Sequence, residues 1–398
     1  MRFGKSALIF LSIFYPIFLT LFYLGTIENR MDYAYSHLFL NYSHGFARRS
    51  LYGTLFQSIP FISARMALLL GYVQVLIAVI LTYAIFARHF LGSFREMLLF
   101  GFFFGGCGVL PHLGLLYGYL DVPLFSLLLI TVFVIHIGRE HDAIALILVS
   151  ALTVTGLLIH EAYLLMFYPA VFFLLFLRVK PGKSSTLAFL LHCALVAAAF
   201  CLIILHGNAS MEATAYFNLA KARTNIPISG LVFGIMRGSF HEQFAAAVHF
   251  YLRPTTLLFV AVSVFTALPY LLVLFCFLSA VVSGRQPQSS NLTGWVRRLA
   301  PFVLVAPLLL TLVGFDFMRW LSSVCIDITI VAAFQFCFAP DKDQIRRAFA
   351  TIAQKDWFVS GLLASIIIGP FGVVMGNRLT EKLFLLSSSL GIHWGWRP

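Results

Sequence analysis

Residues 256–282 read TLLFVAVSVFTALPYLLVLFCFLSAVV, a run without one formal charge. A hydrocarbon layer of about 30 Å takes roughly 20 apolar residues of α-helix, so this run is long enough to cross one. Inside lipid every main-chain N–H and C=O must be satisfied within the protein, and a helix does this within one segment. The run has many companions. Of the 398 residues, 61% are hydrophobic and 11% are charged, against about 45–50% and about 25% in soluble domains. The mean hydropathy is +0.94. These values exclude a disordered, collagen-like, coiled-coil or ordinary soluble globular chain.

Working outward from 256–282, apolar stretches of comparable character lie at roughly 7–26, 66–87, 97–111, 121–137, 143–159, 162–177, 186–205, 299–314, 320–338 and 358–376, about eleven in all. The predicted fold is all-α: a polytopic transmembrane helical bundle of about eleven helices, built as a single integral membrane domain over 1–398. The third stretch is rich in glycine (Gly101, Gly105, Gly106, Gly108) and stops at Pro111, which allows close helix contact or a broken helix. Met-Arg-Phe-Gly-Lys at the start resembles a signal peptide, but no small-residue cleavage site follows, so an uncleaved first helix is expected.

Short cytoplasmic loops collect Lys and Arg. With the N-terminus inside, the inner segments hold Arg2, Lys5, Arg88, Arg95, Arg139, Arg178, Lys180, Lys183, Arg285, Arg297, Arg298, Lys342, Arg346, Arg347 and Lys355, 15 of the 27 basic residues. A multi-pass protein of a bacterial inner membrane with a cytoplasmic N-terminus is the expectation. Two long segments, about 27–65 and 206–255, then fall on the outer face and are expected to contain interfacial helices, while 283–298 forms a flexible inner linker. The net charge of +12 is dispersed between apolar runs, which points to membrane topology and anionic ligands and not to nucleic acid. The six cysteines all sit in apolar stretches with no CxxC or metal spacing, so neither a disulfide framework nor zinc is indicated.

Charges at membrane depth are costly and usually functional. Here they gather at outer helix ends. Asp121 opens the fourth helix, His160 and Glu161 form the turn between the fifth and sixth, and Asp316 and Arg319 sit in a turn before the tenth. Asp327 lies further along that helix, on roughly the face of Asp316 and Trp320. Each has a plain structural reading as well: a helix cap for Asp121, a solvated turn for His160-Glu161, an i,i+3 ion pair for Asp316 and Arg319. The first outer segment adds Asp32, tyrosines at 33, 35 and 42, and Arg48-Arg49 near Gly45 and Gly53. The tyrosines suit an interfacial anchor. Paired guanidinium groups beside glycines suit phosphate, which they grip bidentately. In the second outer segment Arg223 with Gly230, and Arg237 with His241, either hold a further anion or belong to a solvated loop. Asp341-Lys-Asp343 has the spacing of a D-x-D metal triplet, yet acids opening a polar helix explain it. No Walker loop, GxGxxG, GxSxG or HExxH occurs, so no cofactor and no metal are expected.

An outward-facing cavity of carboxylates, a histidine and arginines suits transfer of a sugar carried on a polyprenyl phosphate. Arginines neutralise the departing phosphate, and a carboxylate or histidine takes the proton from the accepting hydroxyl. Arg-Arg-x-Leu-x-Gly at 48–53, the His160-Glu161 turn and Gly-x-Asp-x-x-Arg-Trp at 314–320 resemble segments of membrane proteins of polysaccharide assembly. The pattern is similar to polytopic bacterial glycosyltransferases of the GT-C type and to polysaccharide polymerases of the Wzy type. The first resemblance implies a base in the first outer loop, Glu28 or Asp32. The second implies outer-loop arginines spaced from glycines, as Arg49 with Gly53 and Arg223 with Gly230.

The expected function is therefore a membrane glycosyltransferase or polymerase using a polyprenyl-linked saccharide at the outer, periplasmic face, for O-antigen, capsule or exopolysaccharide assembly. Asp32, Glu161 and Asp316 are the candidate bases, with His160 as helper. Arg48, Arg49, Arg319 and Arg223 are the phosphate binders. Asp121 and Trp320 belong to the substrate side, and Trp320, Tyr117 and Tyr119 offer rings for stacking on sugars. The expected partners are the lipid-linked saccharide, membrane lipid and other polysaccharide-assembly proteins. The competing reading is a flippase or exporter of a lipid-linked oligosaccharide or organic anion, which needs charges through the full membrane depth. A structural or assembly subunit is the third.

Overall fold

A computed structural model describes residues 14–22, 31–138, 142–178, 183–208, 210–235, 240–283, 300–372 and 378–389. Among these the chain is all-helical and has no strand. Five helices are long and apolar enough to cross a membrane: Ala64–Phe90, Phe94–Leu115, Thr186–His206, Pro254–Ser283 and Phe317–Phe338. A sixth is added if Lys342–Ile352 and Asp356–Ile368, bent by 80° at their junction, count as one span.

The stretch at 256–282 lies wholly within Pro254–Ser283, which keeps Pro269 inside it. Several other stretches are apolar but shorter or broken. Asp121–Ile137 and Ala143–Ile159 fall below membrane length. The sixth stretch is split at Phe167 into Tyr163–Met166 and Tyr168–Phe176. Ala300–Leu312 is a 3-10 helix of 13 residues, and at about 2.0 Å rise per residue it still reaches about 26 Å. Most of the first stretch lies outside the described residues. Five or six membrane-length helices is thus what length and composition support.

The glycine-rich third stretch breaks earlier than its proline suggests. Phe94–Gly105 ends where Gly106 turns extended, and Pro111 sits second in the short helix Leu110–Leu115. Proline is tolerated there because the first turn of a helix has no use for its missing N–H.

The contacts gather into two compact units, one of 1–26, 86–115 and 240–398, the other of 27–85 and 116–239. In the first, every residue from Met318 to Phe338 of the helix Phe317–Phe338 is buried. That helix packs on Ala300–Leu312, Pro254–Ser283 and Lys342–Ile352. Phenylalanines fill the core beside it. Phe90 stacks on Phe336 with centroids 4.4 Å apart, and Phe277 meets Phe349 at 4.7 Å, the offset and edge geometries aromatic quadrupoles favour. Close approach is also polar, since the Ser322 hydroxyl donates to the Gly108 carbonyl at 2.7 Å.

In the second unit, Asp142–Ile159 packs between Asp121–Ile137 and Lys183–His206. Only 17% of the Thr186–His206 window is buried, and Leu187, Leu191 and Leu205 are exposed. A long helix apolar on every side is a membrane face. The two long segments are tied to one another. Arg48 N donates to Gly207 O at 2.9 Å, Ile62 N to Arg223 O at 2.9 Å, and Ser229 N to Ser36 Oγ at 2.8 Å. The Tyr216 hydroxyl accepts from Asn41 N and donates to Asn41 O. With its main chain satisfied in this way, the aromatic stretch expected in the interface packs inward: Tyr35, Leu38, Phe39 and Leu40 are all buried.

Candidate functional site

The site is built where Ser50–Thr54 packs across the end of Asp142–Ile159. Beyond Ile159, His160 N still donates to Gly156 O, and Tyr163 N donates back to His160 O, so His160, Glu161 and Ala162 form one tight turn. The turn is covered, with His160 5% and Glu161 9% exposed. It is not a solvated turn. Over it comes Arg49, the residue before Ser50–Thr54, whose backbone is left-handed at φ 63°, ψ 9°. Among the described residues it is the one non-glycine with positive φ. Side chains are held this way only where their surroundings over-determine them. Gly53 explains how the short helix gets so close: a Cβ there would collide with the carbonyl oxygen of Leu40.

Arg49 and Glu161 form a bidentate pair. The guanidinium Nε lies 2.8 Å from Oε1 and 3.0 Å from Oε2, and its NH2 group also donates to Oε1. Burial alone would push the Glu161 carboxyl up, but Arg49, the charged form of His160 and Arg48 together outweigh it and hold the carboxyl far below its ordinary range. Burial lowers the Arg48 guanidinium, opposed by Glu161 and reinforced by Arg49. His160 Nδ1 accepts from Ala162 N at 3.0 Å, which assigns the proton of the neutral ring to Nε2. The 3.5 Å contact from Nδ1 to Glu161 Oε2 is then proximity and becomes an ion pair only when His160 is charged. The ring of His37, 3% exposed, has its centroid 6.4 Å from that of His160. Tyr33 meets His37 edge-on at 5.6 Å and faces Tyr119 at 5.9 Å. His37 was missed in the sequence because it stands alone among Tyr33, Tyr35 and Phe39, where a membrane-interface reading absorbs it.

The remaining candidates are dispersed. Asp121 opens Asp121–Ile137 and is 2% exposed. Tyr117 stacks on Tyr72 at 5.6 Å. Asp32 falls in the helix Met31–Ser36, but its side chain, like those of Glu28, Arg237 and His241, lies outside the described residues. Arg223 donates to the carbonyls of Phe56, Gln57 and Ile59, the last at 2.7 Å, so its guanidinium pins the chain that follows Ser50–Thr54. Asp316, Arg319 and Trp320 belong to the first unit. Arg319 pairs with Asp316 at 3.1 Å and lies 5.0 Å over the Trp320 ring. Trp320 is 5% exposed and tucked against Gly314, so its faces are occupied. Asp327 is wholly buried near the middle of Phe317–Phe338, and neither carboxyl oxygen has a hydrogen-bond partner among the described residues.

Among the described residues no group of three or more His, Cys, Asp or Glu is placed to hold a metal ion. Two guanidinium groups, one carboxylate and two imidazoles leave an excess of positive charge at low dielectric, the electrostatics of an oxyanion site. The chain matches no family model, no curated protein and no solved structure.

Proposed function

We propose that this protein is a membrane transferase acting on a saccharide linked to a polyprenyl phosphate, and that Arg48 and Arg49 bind the phosphate that departs. The observation that carries the reading is the buried Arg49–Glu161 pair, with Arg48 and His160 beside it, built on a strained backbone at the end of an apolar helix. In the resting state Glu161 is too weakly basic to take a proton, because its arginines hold it ionised. Its role is to store and aim the two guanidiniums. A di- or monophosphate entering beside them offers Arg49 a second bidentate partner and loosens its grip on Glu161. Asp32 then serves as candidate base for the accepting hydroxyl, with His160 as helper beside Glu161. A catalyst sunk among apolar helices fits a donor with a long isoprenoid tail. The outer-face location, the cytoplasmic N-terminus, the inner membrane and the full set of eleven crossings belong to this same reading.

Transport of a lipid-linked oligosaccharide or organic anion is the second reading, and Asp327 favours it, being an ionisable group at mid-helix depth. Deletion in the source organism, complemented by wild type or by Arg49→Gln, separates the two. Loss of surface polysaccharide with lipid-linked units accumulating on the outer leaflet supports the transferase. Accumulation on the inner leaflet supports the flippase. Full complementation by Arg49→Gln removes both.

A further inference from the structure

Two of the membrane-length helices of the first unit place ends together: Phe94–Leu115 begins, and Phe317–Phe338 finishes, beside a cavity of about 370 Å³. Arg95, Glu96, Phe336 and Arg346 are among its lining residues. Arg346 comes from the next helix, Lys342–Ile352, and turns back over the helix end. Its guanidinium lies 4.9 Å above the Phe336 ring and donates to the Phe336 carbonyl at 3.3 Å. Those bonds fix its position and leave its charge uncompensated, because no carboxylate stands within ion-pair distance of Arg346 or Arg95 among the described residues. The one acid in the lining, Glu96, is turned back: its carboxylate packs over Gly92 while its N–H donates to Ser93 Oγ at 3.3 Å. Its side chain belongs to the start of the helix.

We infer that this cavity is a binding site for the headgroup of an anionic phospholipid. Its depth is that of headgroups, since both helices reach their hydrocarbon length at its rim. Its volume is that of a small-ligand site, within the usual range of about 300–1,000 Å³. Its charge complements a phosphodiester: one fixed, half-buried guanidinium opposite a second, exposed one that swings to meet the ligand. The acyl chains of such a lipid would leave past Phe94, the exposed apolar side chain of the lining. The site is independent of the Arg49–Glu161 cluster and of any reading of that cluster.

Native mass spectrometry of the purified full chain, titrated with phosphatidylglycerol, phosphatidylcholine and sn-glycerol 3-phosphate, tests this. Wild type is expected to retain phosphatidylglycerol in preference to phosphatidylcholine. Arg95→Gln and Arg346→Gln are each expected to weaken that retention about fivefold, with Arg346→Lys intermediate. Arg95 is exposed, so Arg95→Gln keeps the test intact even if Arg346→Gln does not fold. Equal retention of the two lipids, or phosphatidylglycerol binding unchanged in Arg95→Gln, overturns the inference. Binding of glycerol phosphate as tight as that of the lipid also overturns it, by making the cavity a site for free anions.

Discussion

At Arg49 one residue carries two costs, a left-handed backbone and a buried charge, and Glu161 compensates the second. Removing a single partner of a buried pair leaves the other charge uncompensated, at about 3–5 kcal/mol. Glu161→Gln is therefore expected to lower the melting temperature in detergent more than Arg49→Gln/Glu161→Gln does, which circular dichroism can measure. The same pair sets a pH dependence. The carboxyl of Glu161 lies below its ordinary value of 4.5 when folded, so the stability it contributes is present above that value and fades as pH falls beneath it. Wild type is expected to lose melting temperature between pH 5 and 3, in steps of about one unit, more steeply than Glu161→Gln; parallel curves would show that the pair does not titrate. Arg48, Arg49, His160 and Glu161 were each legible in the sequence as polar residues spent in short non-apolar segments. Their meeting was not, because Arg49 and Glu161 are brought together by packing across the chain and no local spacing encodes it. Arg223 looks the same in sequence as Arg49, and only its three carbonyl partners reveal that it pins main chain.

Among the elements, apolar runs were read well and their ends were not. The run at 256–282 became Pro254–Ser283, and that at 320–338 became Phe317–Phe338, because hydrophobic length alone decides a membrane helix. Breaks depend on something else. Pro111 and Pro169 both sit in first turns of new helices, so the breaks fall before them, at Gly106 and Phe167. The short element Ser50–Thr54 depends on Gly53 for its approach to Leu40. Gly53→Ala should cost about 1–3 kcal/mol through overpacking and should loosen the Arg49–Glu161 pair with it; an unchanged melting temperature would show that the helix sits further out. Asp327 presents the opposite case. An unpartnered buried carboxyl costs about 1–3 kcal/mol or more, so Asp327→Leu is expected to hold or raise thermal stability. Unfolding of that variant would reveal a partner for the carboxyl, and loss of function with stability retained would favour the transport reading.

The whole molecule is governed by lipid. Helices such as Thr186–His206 keep their apolar side chains outward, while Arg49, His160, Glu161 and Arg319 are held away from solvent. The class of protein was therefore readable from composition, whereas length and composition support five or six membrane-length helices among the described residues and leave the remaining apolar stretches shorter or broken. The functional account rests on whether the guanidiniums of Arg48 and Arg49 take a phosphate carried by an isoprenoid tail. Binding of undecaprenyl diphosphate to the full chain in nanodiscs, compared between wild type and Arg48→Gln/Arg49→Gln of matched melting temperature, tests it most directly. The account predicts binding by wild type and a loss of at least about tenfold in the double variant, the equivalent of about 1.4 kcal/mol. Equal affinity in the two proteins would contradict it.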